Sequence, residues 1–194
     1  MTYVSVITLV TYALVLGLLA VVSVIDVRSR RVPNVLAGAL GLLWLAWRVV
    51  LGFAGAHMGL GFRAEFLGPA PDVLVPPGLE IGGISFASGI LGAVVLGGGL
   101  LVLTTVYELV RRKEAFGGGD IKLMAAVGLF LGWQNTLLAM FLGILGGGLY
   151  GIWLLAAKRA DKKDHFAFGQ FLCAGIVIAM LFGEPILQWY CAFL

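Results

Sequence analysis

The sequence predicts an all-α, polytopic membrane protein with about six transmembrane helices in a single membrane-embedded domain, residues 1–194. Hydrophobic residues make up 61% of the 194 residues and charged residues only 12%, and the mean hydropathy is +1.05. These values lie far outside the range of soluble globular proteins, which need a charged surface. Composition therefore excludes a soluble domain and leaves no room for a second folded unit.

Six apolar runs account for these helices, since about 20 residues are needed to cross a bilayer. In order, they are Val4–Ile25, Pro33–Ala54, Ile84–Tyr107, Ile121–Trp133, Thr136–Ala157 and Phe166–Phe182. The fourth run holds only 13 residues. Its helix spans about 20 Å, whereas the hydrocarbon core measures about 30 Å. We therefore expect either a locally thinned bilayer or a helix that starts below the membrane surface.

The basic residues lie almost entirely on one side of the membrane when successive runs alternate in direction. Eleven of the 13 share that side, and only Arg48 and Arg63 fall on the other. The positive-inside rule assigns the richer side to the cytoplasm. Both chain ends are then expected outside, as is Gly55–Gly82, an irregular connection with four prolines. The cytoplasmic connections, Arg111–Asp120 and Lys158–His165, are short and charged.

Small residues recur at every fourth position in two of the runs. They are Gly89, Ala93 and Gly97 in the third run, and Gly143, Gly147 and Gly151 in the fifth. Such stripes let helix backbones approach closely inside a membrane. We expect them to be packing surfaces of the scaffold.

Two aspartates, Asp26 and Asp120, stand at the ends of apolar runs on the cytoplasmic side. A carboxylate at a membrane boundary is costly and marks a candidate functional site. Considered alone, Asp26 is explained as well by an ion pair with Arg28 or Arg30 as by a catalytic role. Asp120 is explained equally well as the N-cap of the following helix. Considered together, the two could share a water molecule and a proton, as an aspartyl hydrolase requires.

The residues beside Asp120 support the catalytic interpretation. Gly117, Gly118 and Gly119 precede it, and glycine backbones can turn sharply and approach a peptide strand closely. The ammonium group of Lys122 is expected to reach the membrane surface, and its closeness to Asp120 favours an ionised carboxylate. We interpret these four residues as support for an active-site loop.

The helix dipole suggests a division of roles between the two aspartates. Asp120 opens a helix, where the dipole favours an anion, whereas Asp26 ends one, where the dipole disfavours it. Hydrolysis by two carboxylates needs one ionised partner to activate water and one protonated partner to donate to the peptide. We therefore hypothesise that Asp120 activates the water and that Asp26 holds the proton.

Two sequence elements around the aspartates form a specific combined pattern. They are Phe116-Gly117-Gly118-Gly119-Asp120-Ile121-Lys122-Leu123-Met124, followed by Gly132-Trp133, and Asp26 with Val32-Pro33-Asn34 downstream. In this pattern and in its six spans, the chain resembles the type IV prepilin peptidases, membrane aspartyl peptidases of the GxGD type. The resemblance implies that Asp26 and Asp120 are the first and second catalytic aspartates.

The chain departs from that family in two places. Many bacterial members carry an N-terminal extension with paired Cys-x-x-Cys motifs and also methylate the new N-terminus. The chain has neither the extension nor these cysteines, so it looks like a short, peptidase-only form, or a member whose methyltransferase activity is lost or supplied elsewhere. The stretch Ala167-Phe168-Gly169-Gln170 resembles the family's Pro-Phe-Gly-Pro, with both prolines replaced. The second departure bears on the rigidity of this loop and not on the aspartate pair.

The resemblance implies cleavage of basic leader peptides from type IV prepilins or pseudopilins at the cytoplasmic boundary of the bacterial inner (plasma) membrane. The expected partners are such a precursor and the lipid bilayer, with no nucleic acid. A small ion- or proton-coupled transporter that uses Asp26 and Asp120 is the alternative. Transporters typically bind at the midplane and contain repeated halves, whereas these acids lie near one face.

No metal or organic cofactor is expected. The chain has no His-Glu-x-x-His motif of a metallopeptidase. Its two cysteines, Cys173 and Cys191, lie in apolar surroundings and are too few and too scattered for a zinc module or a disulfide framework. We expect both cysteines to act as small hydrophobic packing residues.

Overall fold

A computed structural model of the chain describes residues 3–29, 32–57, 86–111, 117–157 and 168–193. The elements are α1 (Tyr3–Ser29), α2 (Asn34–His57), α3 (Phe86–Gly92), the π-helix π1 (Ala93–Gly98), α4 (Gly99–Arg111), α5 (Gly118–Ala156) and α6 (Gly169–Phe193). Because α3, π1 and α4 follow one another directly, they form one continuous helical segment. The predicted all-α class is therefore confirmed for the described residues.

Helix α5 contains both the fourth and the fifth apolar runs and is broken at Gly132. This glycine has φ 69° and ψ 178°, a backbone conformation that is essentially open only to glycine. The hydroxyl of Thr136 donates a hydrogen bond to the Gly132 carbonyl at this kink. The sequence predicted a break between Trp133 and Thr136, and the backbone places it at the nearby glycine.

The two halves of α5 run in opposite directions, as contacts with α6 show. Near the kink, Gly183 lies against the side chain of Asn135. Further along the second half of α5, the ring of Tyr150 lies 5.4 Å from the ring of Phe171, close to the start of α6. The second half of α5 therefore returns towards the end of the bundle at which α6 begins.

The first half of α5 lies at the centre of the bundle. Its side chains Leu123, Met124, Val127 and Phe130 are at most 2% exposed. Helix α5 packs against α2, α3, π1 and α6, and α1 packs against α2 and α6. This central helix begins with Asp120 in its first turn, so the core of the fold positions that carboxylate directly.

Five of the six predicted small-residue positions can be compared with the helix contacts, and four of them lie at close approaches. One is Ala93, whose nitrogen would lie 2.7 Å from a methyl group at Gly128. A methyl group at Gly89 would lie 2.6 Å from the Leu129 carbonyl oxygen, and one at Gly97 would lie 2.5 Å from the Ala125 side chain. Gly143 packs on the backbone of Leu172 in the same way. Gly151 faces no atom within 4 Å, so its predicted packing role is wrong.

Arg48 is held inside the bundle by aromatic rings. It is only 5% exposed, and its guanidinium carbon lies 5.6 Å from the ring of Trp44 and 5.1 Å from that of Trp47. A cation over aromatic rings is stabilised by their quadrupoles, and more strongly where water is excluded. This arrangement explains how an arginine is accommodated in an apolar helix.

Within the described residues, three stretches are long and apolar enough to cross a membrane: Leu9–Ser29, Gly89–Val110 and Gly118–Leu154. Two shorter apolar helices, Asn34–Val50 and Gly169–Gly183, accompany them. The chain is thus a membrane protein, and the count of six spans stays a prediction.

Several helices extend beyond the apolar runs that predicted them, as α1 does to Ser29 and α4 to Arg111. Helix α2 continues to His57, so the first residues of the predicted Gly55–Gly82 connection are helical. Helix α6 continues through Pro185 to Phe193. A proline removes one backbone hydrogen bond of a helix and can kink it, but it need not end the helix. The rest of the long connection, Met58–Gly82, and all of Lys158–His165 lie outside the described residues.

Candidate active site

Asp26 lies in the last turn of α1 and points into the protein. Its side chain is 3% exposed, whereas Arg28 is exposed to the surroundings. Residues two positions apart on a helix do not face each other, so an ion pair with Arg28 does not explain Asp26. Arg30, the other proposed partner, lies outside the described residues.

The carboxylate of Asp26 meets the beginning of α6. The backbone N–H groups of Gly169 and Gln170 are directed at it. Its Oδ2 atom is buried and accepts no hydrogen bond of standard geometry from the described residues. Asp26 therefore ends one helix but faces the positive end of another. The helix-dipole basis for ranking the two aspartates no longer applies, and their division of roles stays a prediction.

Asp120 is the third residue of α5. The Gly117 carbonyl accepts hydrogen bonds from the N–H groups of Asp120 (2.9 Å) and Ile121 (3.4 Å), which makes Gly117 the N-cap residue. The proposal that Asp120 caps the helix is therefore wrong. The Asp120 side chain is partly exposed and lies where the dipole of α5 favours a negative charge.

The three glycines before Asp120 differ in what they contact. Gly118 and Gly119 are helical, so the predicted sharp turn within this run is wrong at these two positions. A methyl group at Gly119 would lie 2.5 Å from the Val32 carbonyl oxygen, whereas one at Gly118 would meet nothing within 4 Å. Gly119 therefore allows a close approach between the start of α5 and the segment before α2.

The two predicted aspartates come together at one end of the bundle. Their carboxylates are close enough to interact electrostatically. Val32 lies between α5, which carries Asp120, and the start of α6, which meets Asp26, since both Gly119 and Gly169 pack against it. The ends of α1, α5 and α6 thus converge on one residue of the chain between α1 and α2.

Lys122 connects α5 to α2. Its Nζ donates a 3.0 Å hydrogen bond to Oδ1 of Asn34, the first residue of α2. The motif Val32-Pro33-Asn34 therefore has a structural use, since Val32 is a packing surface and Asn34 accepts this bond. The predicted influence of Lys122 on the ionisation of Asp120 stays a prediction.

Sequence reasoning did not identify three residues of this region as site residues. Gly169 and Gln170 lie in the stretch that resembles the family's Pro-Phe-Gly-Pro. That resemblance was the sequence feature from which their place beside Asp26 could have been predicted. Cys173, one turn further along α6, is buried and within electrostatic reach of both carboxylates. Nothing in the sequence marked it beyond the apolar packing role, and it does lie in the hydrophobic core. The Cys191 side chain lies outside the described part of the structure.

The arrangement resembles no metal centre in the part of the chain that is described. No group of three or more His, Cys, Asp or Glu side chains there could hold a metal ion. The two aspartates, one buried and one partly exposed, lie within electrostatic reach of each other.

Comparison with known proteins identifies relatives that match between about half and 85% of the chain. The chain matches the type IV leader peptidase family over residues 13–152. It is 38% identical to the prepilin leader peptidase/N-methyltransferase of Aeromonas salmonicida strain A449 over 105 residues, which are 52% of this chain and 36% of that protein. It is 37% identical to the Pseudomonas aeruginosa protein of that name over 187 residues, 85% of this chain and 63% of that protein. The Pseudomonas putida protein is 36% identical over 178 residues, 81% and 61% of the two chains.

The matched regions cover only part of each relative. The chain spans between 36% and 63% of the length of these three curated relatives. No solved structure matches it. The family match includes Asp26, the triple glycine and Asp120, and it ends at residue 152, before α6. The chain therefore belongs to the type IV leader peptidase family.

Proposed function

We propose that this protein is an aspartic-type endopeptidase that removes the basic leader peptide from type IV prepilins or pseudopilins. The observation that carries the proposal is the meeting of Asp26 and Asp120, from the end of α1 and the start of α5, at one end of an apolar bundle. The relatives named above are prepilin leader peptidases, which gives the substrate class.

In the proposed reaction, one carboxylate takes a proton from a bound water while the other donates a proton to the carbonyl oxygen of the scissile peptide. The water oxygen attacks the carbonyl carbon and forms a tetrahedral intermediate. Its collapse breaks the C–N bond as the carboxyl group that took the water proton gives it to the leaving amine, while the other carboxylate takes a proton from a hydroxyl of the intermediate. The carboxylates regain their starting protonation after one turnover. In this proposal the water lies between the carboxyl group of Asp26 and the partly exposed carboxyl group of Asp120.

The proposed location of this reaction is the cytoplasmic face of the bacterial inner membrane. A prepilin carries a basic cytoplasmic leader, a glycine at the cleavage point and then an apolar helix, as the resemblance implies. The junction between leader and helix lies at the membrane surface. The charge asymmetry of the chain supports the same side for Asp26 and Asp120.

The proposal is tested with purified protein in liposomes, supplied with a prepilin and with the same prepilin carrying alanine in place of the cleavage-point glycine. We expect mass spectrometry to detect leader removal only from the first substrate. Ion or proton uptake by the same liposomes, without peptide cleavage, would instead support the transporter alternative.

The first prediction concerns the two aspartates. Asp26→Asn and Asp120→Asn should each abolish leader removal, since an amide can neither activate water as a base nor supply the shared proton. Gel filtration and thermal unfolding should show both variants folded. Leader removal by either folded variant would show that the pair does not perform the hydrolysis.

A further inference from the structure

Helix α6 begins at the carboxylate of Asp26. The Phe168 carbonyl accepts the first two backbone hydrogen bonds of the helix, from the N–H groups of Phe171 and Leu172. The N–H groups of Gly169 and Gln170, which have no acceptor inside the helix, are directed at Asp26. Phe168 has no polar side chain that could cap α6. The Asp26 side chain, from the end of α1, therefore stands in the place of a capping side chain.

This junction is too close for a side chain at position 169. A methyl group there would lie 2.8 Å from Oδ2 of Asp26 and 3.1 Å from Cγ2 of Val32. The first contact is shorter than real side-chain carbons show. Any residue other than glycine must therefore displace the Asp26 carboxylate, the Val32 side chain or the start of α6.

Burial provides an independent observation at the same place. Asp26 is 3% exposed, and its Oδ2 atom has no partner of standard hydrogen-bond geometry in the described part of the chain. Asp120 is partly exposed. Asp120 is thus the more accessible of the two carboxyl groups, and the start of α6 lies against Asp26.

We propose that Gly169 is a positioning residue of the peptidase site, which lets the first turn of α6 hold the Asp26 carboxylate towards Asp120. The inference rests on the proposed function and deepens it. It adds the start of the last helix to the machinery of the site, through backbone N–H groups. Gly169 itself needs to touch neither the substrate nor the water.

The first test compares two glycine substitutions in α6. Gly169→Ala should lower kcat for prepilin cleavage by about tenfold or more and change KM by less than about threefold, because displacing a catalytic group reduces transition-state stabilisation. The matched control is Gly175→Ala, whose methyl group would meet the Ala139 carbonyl and lie 2.7 Å from the Gly143 nitrogen. It should lower the melting temperature, yet change kcat of the folded protein by less than about twofold.

A double variant separates the contact with Asp26 from the contact with Val32. Val32→Ala removes the Cγ2 atom that a methyl group at 169 would meet. We expect Val32→Ala not to restore the kcat of Gly169→Ala, since the clash with Oδ2 of Asp26 remains. Restored kcat in the double variant, or wild-type kcat in Gly169→Ala, would overturn the inference.

A second measurement keeps the inference testable if Gly169→Ala does not fold. Amide hydrogen exchange at Gly169 and Gln170, followed by NMR, should accelerate about tenfold or more in Asp26→Ala, because the acceptor is gone. The amide of Leu172 donates to the Phe168 carbonyl and serves as the unaffected control. Unchanged exchange at both positions would overturn the inference.

These outcomes are distinct from failure of the proposed function. Wild-type protein that does not cleave prepilin would overturn the peptidase assignment. Active wild-type protein with inactive Asp26→Asn, together with a fully active Gly169→Ala, would overturn only the role of Gly169.

Discussion

Two neighbouring glycines in the first turn of α5 have opposite surroundings. The Cα of Gly119 faces the segment before α2, where a methyl group would lie 2.5 Å from the Val32 carbonyl oxygen and 2.8 Å from its Cβ. The Cα of Gly118 faces open space. Since α5 carries Asp120 one residue later, the contact at Gly119 sets the distance between that carboxylate and the end of α1.

This difference predicts opposite effects of two similar substitutions. Gly119→Ala should lower the cleavage rate by about tenfold or more, because the start of α5 must move away from Val32. Gly118→Ala should leave the rate within about twofold of wild type, since alanine is the better helix former by up to about 1 kcal/mol. Both rates are measured with the prepilin assay on folded protein. An equal loss in the two variants would show that the Val32 contact does not control Asp120.

The exposed hydrogen bond between Lys122 and Asn34 links the start of α5 to the start of α2. Lys122→Met and Asn34→Ala should each reduce cleavage, and the double variant should lose little more than either single variant. A hydrogen bond to a charged group, weakened here by exposure, should give a coupling of about 1 kcal/mol in a double-mutant cycle, or roughly fivefold in rate. Additive losses would mean that the two side chains act separately.

The sequence alone identified the two aspartates because carboxylates beside apolar runs are costly and therefore conspicuous. It did not predict which backbone hydrogen bonds begin the helix that carries Asp120. Gly117, and not Asp120, caps α5, because the choice depends on which carbonyl accepts the first helical bond. Gly169 could not be identified from its own neighbourhood, since the atom that requires a glycine there belongs to Asp26 in another helix.

At the scale of elements, the apolar runs predicted the helices and missed where they bend. The turn between the fourth and fifth runs lies at Gly132 because the backbone there needs a positive φ. The end of α6 was placed too early, at Phe182. Hydrophobicity falls at Glu184 and Pro185, while the helical backbone continues past them. The end of an apolar run indicates where the chain leaves the lipid, whereas the end of a helix is set by its backbone hydrogen bonds, and the two need not coincide.

The kink in α5 makes a prediction about stability. Gly132→Ala should lower the free energy of unfolding by about 1–3 kcal/mol, because alanine must adopt a sparsely populated backbone conformation. Gly148→Ala, in the second half of the same helix, is the matched control, since a methyl group there meets nothing within 4 Å. We expect it to be neutral or mildly stabilising. Thermal unfolding in detergent measures both variants, and equal effects would exclude the kink as the cause.

At the scale of the whole molecule, the candidate site exists because the helices alternate in direction. The C-terminal end of α1 and the N-terminal ends of α2, α5 and α6 meet around Val32 and the two carboxylates. Residues far apart in the chain therefore form one site through topology. The sequence indicated this convergence through the charge pattern, but the single-domain organisation and the orientation in the membrane stay predictions.

The charge asymmetry predicts which side of the membrane this site faces. Ser29 follows Asp26 by three positions, and Lys162 lies in a basic connection, so Ser29→Cys and Lys162→Cys should be labelled by a membrane-impermeant maleimide only from the cytoplasm. Asp72→Cys, in the acidic and proline-rich connection, should be labelled only from outside. Unsubstituted protein is the control for Cys173 and Cys191. Labelling in right-side-out and inverted vesicles distinguishes the two orientations. Since the leader of a prepilin is cytoplasmic, the opposite labelling pattern would place Asp26 and Asp120 out of its reach and contradict the proposed substrate.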